Sequence, residues 1–481
     1  MNRRLRTAGR WLLFGSVFFG AACVPRSGVW ILRSPDHRRV AQVVQDAGRQ
    51  SVTVDGQTQP SLQAKAVAGL TFSPDSQHVA YAARVAKGWI VVRDGEPGPI
   101  WDGIGELIFS PDSQHVAYAA EQRGSWRVVC DGVPGPPWPA LKKGSLRFGP
   151  DGGRLVYVAE SAGKQVVVDD HAAHDPVDAV SEIRFGPNDR RLAYLARVGK
   201  RVFPVVDRRA GPGYEAAVEL VLAGDHMGLI ARQAGTWHVV FDGRHSPPYQ
   251  SAAALTLGPD GRHVAYLAQT GLGWQVVADG RLGFPFERIT GLQLDAEGRP
   301  LYVAQEGAQV RVVHGERLGP EFTQLDPPSL SADRRRWGYV GHSPRQSLVI
   351  FDGKLPLAQP WPWAGNLLFS DDGAHYAYLA RSPGMMWVVH DGRYHPFGLL
   401  IEGSLVLSSD GKHWAVLQGD AKKRELFLNI DGARGPAFSF ADILAQGGLR
   451  DLRLDGAASH GDRLVRDWVA AELTLHLGSR R

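Results

Sequence analysis

The sequence predicts an all-β protein, a β-propeller built from about eleven or twelve four-stranded repeats of about 37 residues each. Three features recur in the same order along most of the chain: a Ser/Gly-Pro-Asp turn, a Val-Ala-Tyr-like strand centre and a Val-Val-x-Asp-Gly segment. The last is the most regular. Its aspartates are Asp55, Asp94, Asp131, Asp169, Asp207, Asp242, Asp279, Asp352, Asp391 and Asp431, with His314 in that place once.

The unit from Glu106 to Pro139 shows why each element is expected. Its first strand, LIFS, leads into a Ser-Pro-Asp turn at 110–112, where proline presets φ and aspartate accepts a hydrogen bond. VAYAA and WRVV have the short, apolar, β-branched character of strands packed between sheets. Asp131 and Gly132 supply the two positive φ angles of a tight hairpin. The final PPW segment must be short and lie at a sheet edge, because proline cannot donate to a ladder.

Composition narrows the class of protein. The 481 residues are 44% hydrophobic, which excludes a disordered chain, and the 57 glycines follow no strict period, which excludes collagen. Helical repeats of this period need long amphipathic runs without Pro-Gly breaks, and the sequence has none. The formal charge of +5 includes four arginines among the first ten residues; without them 50 basic residues face 49 acidic ones. A nearly neutral body argues against a nucleic-acid partner.

The first residues predict export. Four arginines precede the apolar run from Trp11 to Ala22, and Cys23 follows two alanines. A short basic segment and an apolar core of about 12 residues fit a signal peptide. The sequence Gly20-Ala21-Ala22-Cys23 resembles the bacterial lipobox, although the family prefers Leu where Gly20 stands. We therefore expect a signal peptide over 1–22, lipidation at Cys23 and a tether over 23–29; an ordinary cleaved signal or a retained anchor are the alternatives.

The number of rings is open at this point. Eleven clear units exceed the usual four to eight blades of one propeller. The tail after Phe440 could supply a degenerate twelfth unit, or a helix that caps one ring. Twelve units divide into two six-bladed rings, which predicts a first propeller over 30–250 and a second over 251–481. One oversized ring, or rings of five and six blades, are the alternatives.

The repeat resembles a known family. FSPDSQHVAYAA, at 72–83, is similar to the bacterial WD-repeat-like propeller repeat of the TolB type, Phe-Ser-Pro-Asp-Gly-Lys/Arg-x-Ile/Val-Ala-Tyr. The resemblance extends from about Trp30 to Phe440. The units here are shorter than many blades, and histidines often replace the family's basic residue. The resemblance implies a propeller fold. The location is expected on other grounds: Val24 and Pro25 follow Cys23 with no aspartate, which resembles outer-membrane sorting in lipoproteins of Gram-negative bacteria and implies the periplasmic face of the outer membrane. The resemblance of the repeat says little about function, because such propellers serve many tasks.

A search for chemistry finds no catalytic motif: no Gly-x-Ser-x-Gly elbow, P-loop, Rossmann fingerprint or His-Glu-x-x-His occurs. We predict no metal and no cofactor. The repeat histidines occupy equivalent positions in different blades and should not converge on one ion. The segment DDHAAHDP at 169–176 could hold a weak divalent ion, but a polar loop is favoured. Cys130 is expected to be a small buried side chain. The repeat histidines are His78, His115, His263, His375 and His413.

These observations predict a non-enzymatic scaffold of the bacterial cell envelope that binds an envelope protein or polymer and contacts the membrane only through its N-terminal lipid. The alternatives are a soluble periplasmic protein and an exported propeller enzyme (lyase, hydrolase or cyclase) with its active site at the channel mouth. We expect the loops between second and third strands to vary in length, charge and aromatic content, and we therefore expect the binding surface there. The candidate binding residues are Met385, Met386, Lys422, Lys423, Arg424, Trp361 and Trp363.

Overall fold

The computed structural model describes residues 30–439, except 37, 47, 60–63, 188–189, 355–359 and 421–424. This part of the chain forms eleven antiparallel sheets that follow one another in chain order, here called sheets one to eleven. The all-β propeller architecture of repeated four-stranded units is therefore confirmed. Within the described residues, no helix is long and apolar enough to span a bilayer.

Sheets one to four contain the first seventeen strands. Sheet one comprises β1 (Trp30–Arg33), β2 (Val40–Asp46), β3 (Arg49–Val54) and β4 (Gln57–Thr58). Sheet two comprises β5 (Ala66–Phe72), β6 (Val79–Val85), β7 (Gly88–Arg93) and β8 (Glu96–Pro97). Sheet three comprises β9 (Gly103–Phe109), β10 (Val116–Gln122), β11 (Ser125–Cys130) and β12 (Val133–Pro134). Sheet four comprises β13 (Ala140–Leu141), β14 (Arg147–Phe148), β15 (Leu155–Ser161), β16 (Lys164–Asp169) and β17 (Ala172–Ala173).

Sheets five to eight follow the same pattern. Sheet five comprises β18 (Ala179–Phe185), β19 (Leu192–Val198), β20 (Arg201–Val206) and β21 (Arg209–Ala210). Sheet six comprises β22 (Ala216–Ala223), β23 (His226–Gln233), β24 (Thr236–Phe241) and β25 (Arg244–His245). Sheet seven comprises β26 (Ser251–Leu257), β27 (Val264–Thr270), β28 (Gly273–Ala278) and β29 (Arg281–Phe286). Sheet eight comprises β30 (Arg288–Leu294), β31 (Pro300–Glu306), β32 (Gln309–His314) and β33 (Arg317–Leu318).

The last three sheets complete the described chain. Sheet nine comprises β34 (Gln324–Leu325), β35 (Ser329–Leu330), β36 (Trp337–Ser343) and β37 (Gln346–Phe351). Sheet ten comprises β38 (Trp363–Phe369), β39 (Tyr376–Ser382), β40 (Met385–His390) and β41 (Arg393–Phe397). Sheet eleven comprises β42 (Val406–Leu407), β43 (Trp414–Asp420), β44 (Glu425–Ile430) and β45 (Ala433–Ser439).

Strands within a sheet pair in sequence order, as expected for hairpin-connected repeats. In sheets four and nine the first strand is split into two short strands that both pair with the second. The predicted short fourth strand is two residues long in sheets one to six and in sheet eight. The prediction of a short fourth strand is wrong for sheets seven, ten and eleven, whose fourth strands have six, five and seven residues. In sheet seven, Pro285 still pairs with Gln275 beside a bulge, where a missing N–H is tolerated.

The core lies in the seams between consecutive sheets. Each of the ten seams has its own cluster of buried apolar side chains drawn from both neighbouring sheets. The seam between sheets six and seven, where Gln250 lies, has such a cluster too: Ile230 of sheet six packs with Leu255 and Tyr266 of sheet seven. Glu219 also accepts a hydrogen bond from the Leu255 N–H at 2.8 Å. The division of the chain into two rings at this point stays a prediction.

The Asp-Gly turns have the predicted geometry. In sheet three, Asp131 and Gly132 have φ angles of 47° and 80°, both in the left-handed region that such a two-residue hairpin requires. Asp131 also accepts a hydrogen bond from the Val116 N–H at 3.0 Å, so it caps the start of the second strand. His115, which precedes that strand, contacts the same carboxylate. The two predicted turns of a sheet therefore lie side by side on one face.

Two assignments in the aspartate series were wrong by one residue. In sheet four the capping residue is Asp170, which has φ of 45° and accepts from the Leu155 N–H at 2.8 Å, and not Asp169. In sheet eight the aspartate position is taken by Gly315, whose N–H donates to the Pro300 carbonyl, and not by His314. The reason is plain in sheet eight: Pro300 has no N–H, so there is nothing for an aspartate to cap.

Candidate functional site at the outer rim of sheets seven to ten

The connections between second and third strands are uniform in length. In the nine sheets where both connecting residues are described, two residues separate the strands, as between Val85 and Gly88 or between Ser382 and Met385. The expectation that these connections vary in length is wrong for this part of the chain. Their variation is confined to the chemistry of two side chains per turn, which leaves a small surface for specific recognition.

The two methionines expected in a binding loop, Met385 and Met386, lie in different environments. Met385 opens β40 and is 38% exposed. Met386 is buried between sheets ten and eleven, and its sulfur lies 3.2 Å from the Leu400 N–H. Adjacent residues of a strand point to opposite faces, so only Met385 can reach a partner.

The two tryptophans of QPWPWAG, Trp361 and Trp363, pack against different seams. Trp361 pairs with Ser347 at the end of sheet nine and packs against the seam between sheets nine and ten. Trp363 opens β38 and packs against the next seam, with the Arg381 guanidinium 5.6 Å from its ring centroid. Both are half-buried packing residues. The remaining candidates, Lys422, Lys423 and Arg424, lie outside the described residues, as does Cys23.

The largest exposed apolar side chains that share one repeat position lie on the fourth strands. The second residue of that strand is Leu282 in sheet seven, Leu318 in sheet eight and Tyr394 in sheet ten, with exposures of 56%, 44% and 50%. Phe284 of sheet seven is 44% exposed beside them in sequence. We call Leu282, Phe284, Leu318 and Tyr394 the apolar rim.

The same position differs in the N-terminal sheets. Sheets one to six have small, polar or proline residues there, and none of them is a large aliphatic or aromatic residue other than histidine. They are Thr58, Pro97, Pro134, Ala173, Ala210 and His245. An exposed arginine precedes this position in sheets five and six, as Arg209 and Arg244, and also in sheets seven, eight and ten, so the apolar side chain is what differs. The arginines of sheets seven, eight and ten are Arg281, Arg317 and Arg393.

Tyr394 belongs to an aromatic group. Its ring centroid lies 5.8 Å from that of Trp361 and 6.3 Å from that of Trp387, and the two tryptophans are 6.5 Å apart. Trp387 also donates to Ser382 at 2.9 Å. The rings touch one another, so they leave no cage for a ligand between them and instead brace Tyr394 at the surface. The sequence contains a clue to this group. Trp237 and Trp274 are the second residues of their third strands, whereas Trp387 is the third residue of β40, so its ring turns toward sheet nine.

At the Asp-Gly turns, which precede the fourth strands, the repeat histidines are paired with aspartates. Six sheets join their two turns by a histidine Nδ1 that lies 2.6–2.8 Å from the aspartate of the Asp-Gly turn. In sheet six this histidine is His226, which was not recognised in the sequence because the repeat is degenerate there. In sheets one, five and nine an arginine takes the same place. These side chains therefore hold turns together, one pair per sheet.

The segment DDHAAHDP of sheet four does not form a metal loop. Asp169 binds Arg154 through two hydrogen bonds of 2.6 and 2.8 Å, and both side chains are largely buried. His174 is buried, with Nδ1 3.0 Å from the Tyr194 hydroxyl and Nε2 3.6 Å from Asp169. His171 lies apart in the turn itself, with φ of 70°. The favoured interpretation, a polar segment, fits this arrangement better than an ion site.

Carboxylates on the first strands are also engaged. Glu182 accepts from the N–H groups of Glu219 and Leu220 in the next sheet, at 3.0 and 3.2 Å. Glu106 accepts in the same way from Gly144 at 3.2 Å. Each carboxylate thus satisfies backbone donors of the neighbouring sheet, where an acid or base catalyst would need a free side chain at the reacting atoms.

One arrangement in sheet nine has the residue types of a catalytic triad. His342 Nδ1 lies 2.9 Å from the Ser347 hydroxyl, and its Nε2 lies 3.0 Å from Asp326. Ser347 is only 2% exposed and carries the backbone pairing to Trp361. Because Ser347 is enclosed and its backbone is paired with Trp361, we interpret this group as a hydrogen-bonded brace below the aromatic group.

Cys130 is a free, half-buried thiol. Burial, with the adjacent Asp131 carboxylate, raises its pKa to about 11. The thiol is therefore protonated at neutral pH and a poor nucleophile, in keeping with the expected packing residue.

Comparison with known proteins gives the fold alone. No family model matches the chain, and no curated protein matches it by sequence. A crystal structure of a eukaryotic initiation factor aligns at 13% identity and a TM-score of 0.35 over 76% of this chain and 96% of that one. The Dos1 propeller aligns at 11% identity and 0.28, covering 60% and 93%. TolB from Acinetobacter baumannii aligns at 14% identity and 0.22, covering 53% and 61%. The chain is thus a distant structural match to β-propeller proteins.

Proposed function

We propose that this chain is a non-enzymatic β-propeller scaffold of the bacterial cell envelope that binds a partner protein through the apolar rim of sheets seven, eight and ten. The observation that supports this proposal is the apolar rim: three sheets expose a large apolar side chain at one repeat position, each directly after an exposed arginine. Tyrosine and arginine are the residues that most often dominate binding energy at protein interfaces.

The charge of the rim indicates the chemistry of the partner. Arg281, Arg317 and Arg393 add positive charge beside the apolar side chains. A partner surface with apolar pockets surrounded by aspartate and glutamate would match both properties. An envelope polymer is the competing ligand, and it would be recovered in the same experiment as polysaccharide rather than as a protein band.

The repeat supplies a matched control for the binding test. Full-length protein, extracted in detergent, is used to recover partners from solubilised envelope for identification by mass spectrometry. The triple substitution Leu282→Ser, Leu318→Ser and Tyr394→Ser should lower recovery of the partner at least tenfold. The triple substitution Pro97→Ser, Ala210→Ser and His245→Ser changes the same repeat position in N-terminal sheets and should leave recovery unchanged. Equal recovery by both variants would exclude the rim as the binding surface.

The location in the envelope has its own test. We propose that Cys23 is lipidated and that the protein is held at the periplasmic face of the outer membrane, because an apolar run and Gly20-Ala21-Ala22 precede this cysteine. A palmitate analogue should label the wild type and not Cys23→Ser. Equal labelling of the two proteins would instead favour a soluble periplasmic protein.

A further inference from the structure

Sheet ten adds a second histidine to its histidine–aspartate pair. His375 Nδ1 lies 2.6 Å from Asp391 Oδ2, as in the other paired sheets. His390 ends β40 directly before Asp391, and its Nε2 lies 3.6 Å from the same oxygen. The three ligand atoms all lie within 4.8 Å of one another.

A backbone oxygen completes the group. His390 Nε2 lies 2.8 Å from the carbonyl oxygen of Gly411, which belongs to the first turn of sheet eleven. Ligands about 2.1 Å from a tetrahedral Zn²⁺ lie about 3.4 Å from one another. The separations of 2.6, 3.6 and 2.8 Å each lie within about 1 Å of that value.

The donor types suit a divalent ion. The Asp391 carboxylate offers an oxygen ligand and His375 and His390 each offer an imidazole nitrogen, and both kinds of ligand are ordinary for zinc. Each imidazole can present the ligating nitrogen by carrying its proton on the other ring nitrogen. Binding therefore forms four coordinate bonds without net oxidation and without loss of a proton from a neutral imidazole.

The other paired sheets show what is special here. The residue before the aspartate is Arg93 in sheet two, Phe241 in sheet six, Ala278 in sheet seven and Ile430 in sheet eleven, none of them a ligand for zinc. Sheet three places Cys130 there, close to His115 and Asp131. In that sheet the Arg93 guanidinium lies 3.4 Å from the Asp131 carboxylate, and its charge opposes a cation. Only sheet ten, among the described sheets, combines two imidazoles, a carboxylate and a carbonyl.

We propose that His375, His390, Asp391 and the Gly411 carbonyl bind one divalent transition-metal ion of the Zn²⁺ class. Because the carbonyl belongs to sheet eleven and the side chains to sheet ten, the bound ion ties these two sheets together. The site uses no rim residue, although His390 pairs with Arg393 next to Tyr394, and its test reads zinc stoichiometry instead of partner recovery.

The test uses full-length protein in detergent, stripped with EDTA and dialysed against Zn²⁺ alone. His390→Phe gives sheet ten the residue that sheet six has before Asp242. It should bind one equivalent of zinc less than the wild type, and the zinc-dependent rise in melting temperature should disappear. His226→Gln removes the imidazole of the sheet-six pair and should keep the wild-type stoichiometry.

Two results would overturn the site. One is unchanged zinc stoichiometry in His390→Phe, which would mean that surface histidines bind the metal. The other is an equal loss in His226→Gln, which would mean that the paired histidines act without regard to a second imidazole. Far-UV spectra and melting without zinc verify that each variant is folded, and His390→Gln replaces His390→Phe if the larger ring prevents folding. Zinc K-edge absorption should show two imidazoles in the wild type.

Discussion

Sheets three and four form the same turn with different numbers of aspartates. In sheet three, Asp131 performs two tasks: one carboxylate oxygen accepts from the Val116 N–H at 3.0 Å, and the other contacts His115 at 2.6 Å. In sheet four the tasks are divided. Asp170 accepts from the strand N–H, while Asp169, one residue earlier, pairs with Arg154.

The division changes how deeply the charge pair is buried. The Asp169 side chain is 9% exposed, whereas that of Asp131 is 37% exposed. A residue on the last position of the third strand points into the seam, and a residue in the turn points to solvent. Capping and charge pairing are therefore separable functions of the repeat, and sheet four allows each to be removed alone.

The largest effect is expected from removing the buried charge of Asp169. Asp169→Ala removes two charged hydrogen bonds from the largely buried Arg154 guanidinium, which should lower the free energy of unfolding by about 3 kcal/mol in denaturant titrations. The control is the double variant Arg154→Met, Asp169→Leu, which removes both charges and should recover most of the loss. A loss below about 1 kcal/mol in Asp169→Ala would mean that solvent reaches Arg154.

The same comparison predicts a pH dependence. Burial alone would raise the pKa of Asp169, but the hydrogen bonds from Arg154 and the His174 imidazole 3.6 Å away lower it far below its ordinary value. A lowered folded-state pKa contributes stability above the unfolded-state value of about 3.9, and this contribution is lost as the pH falls. The difference between wild type and Asp169→Ala should therefore be full at neutral pH and shrink below about pH 4.

The turn aspartates should rank by the number of tasks they perform. Asp131→Ala loses the cap together with the contacts to His115 and Arg93 and should cost about 2 kcal/mol, while Asp170→Ala loses only the cap and should cost about 1 kcal/mol. Asn keeps the capping oxygen and tolerates the left-handed backbone, so Asp131→Asn should recover about half of the loss. Equal costs for the two alanine variants would show that the contacts to His115 and Arg93 do not contribute.

The sequence was sufficient for the repeated turns, because their chemistry is local. Asp131 and Gly132 stand together in the chain, and their φ angles follow from the hairpin they form. The strand pattern was equally local. What the sequence did not reveal depends on pairs far apart: His115 and Asp131 are separated by a whole hairpin, and the contact between them appears only when strands two and three pair.

The candidate site was predicted less well, for a related reason. Met385 and Met386 look alike in the sequence, but strand alternation buries one and exposes the other. The apolar rim was missed because a leucine or tyrosine after Asp-Gly reads as ordinary strand material. Its exposure follows from the edge position of the fourth strand, as at Leu282 and Tyr394. The register of a residue within an edge strand determines its exposure, and this register cannot be read from amino-acid composition.

Histidine-paired and arginine-paired sheets should differ in their response to pH. The hydrogen bond to Asp279 raises the pKa of His263. A raised folded-state pKa gives stability that is fully present below about pH 6.5 and is lost as the pH rises through the folded-state value. His263→Arg imitates sheet five and should remove this loss between pH 6 and 8. The difference should stay below about 1 kcal/mol, because the pair is more than one third exposed, and it should shrink further in salt. A pH dependence that His263→Arg leaves unchanged would assign it to other groups.

The smallest effect is expected where the repeat has already lost its aspartate. In sheet eight, Gly315 occupies the aspartate position and Pro300 occupies the position of the capped N–H. Gly315→Asp restores the carboxylate at a φ of 59°, which aspartate tolerates, but it finds no backbone donor there. Arg299, the basic residue before the strand, is already bound to Asp295 at 2.7 Å. The free energy of unfolding should therefore change by less than about 0.5 kcal/mol. A gain above about 1 kcal/mol would mean that the aspartate stabilises the turn by itself, and that the capped N–H of the other sheets contributes little.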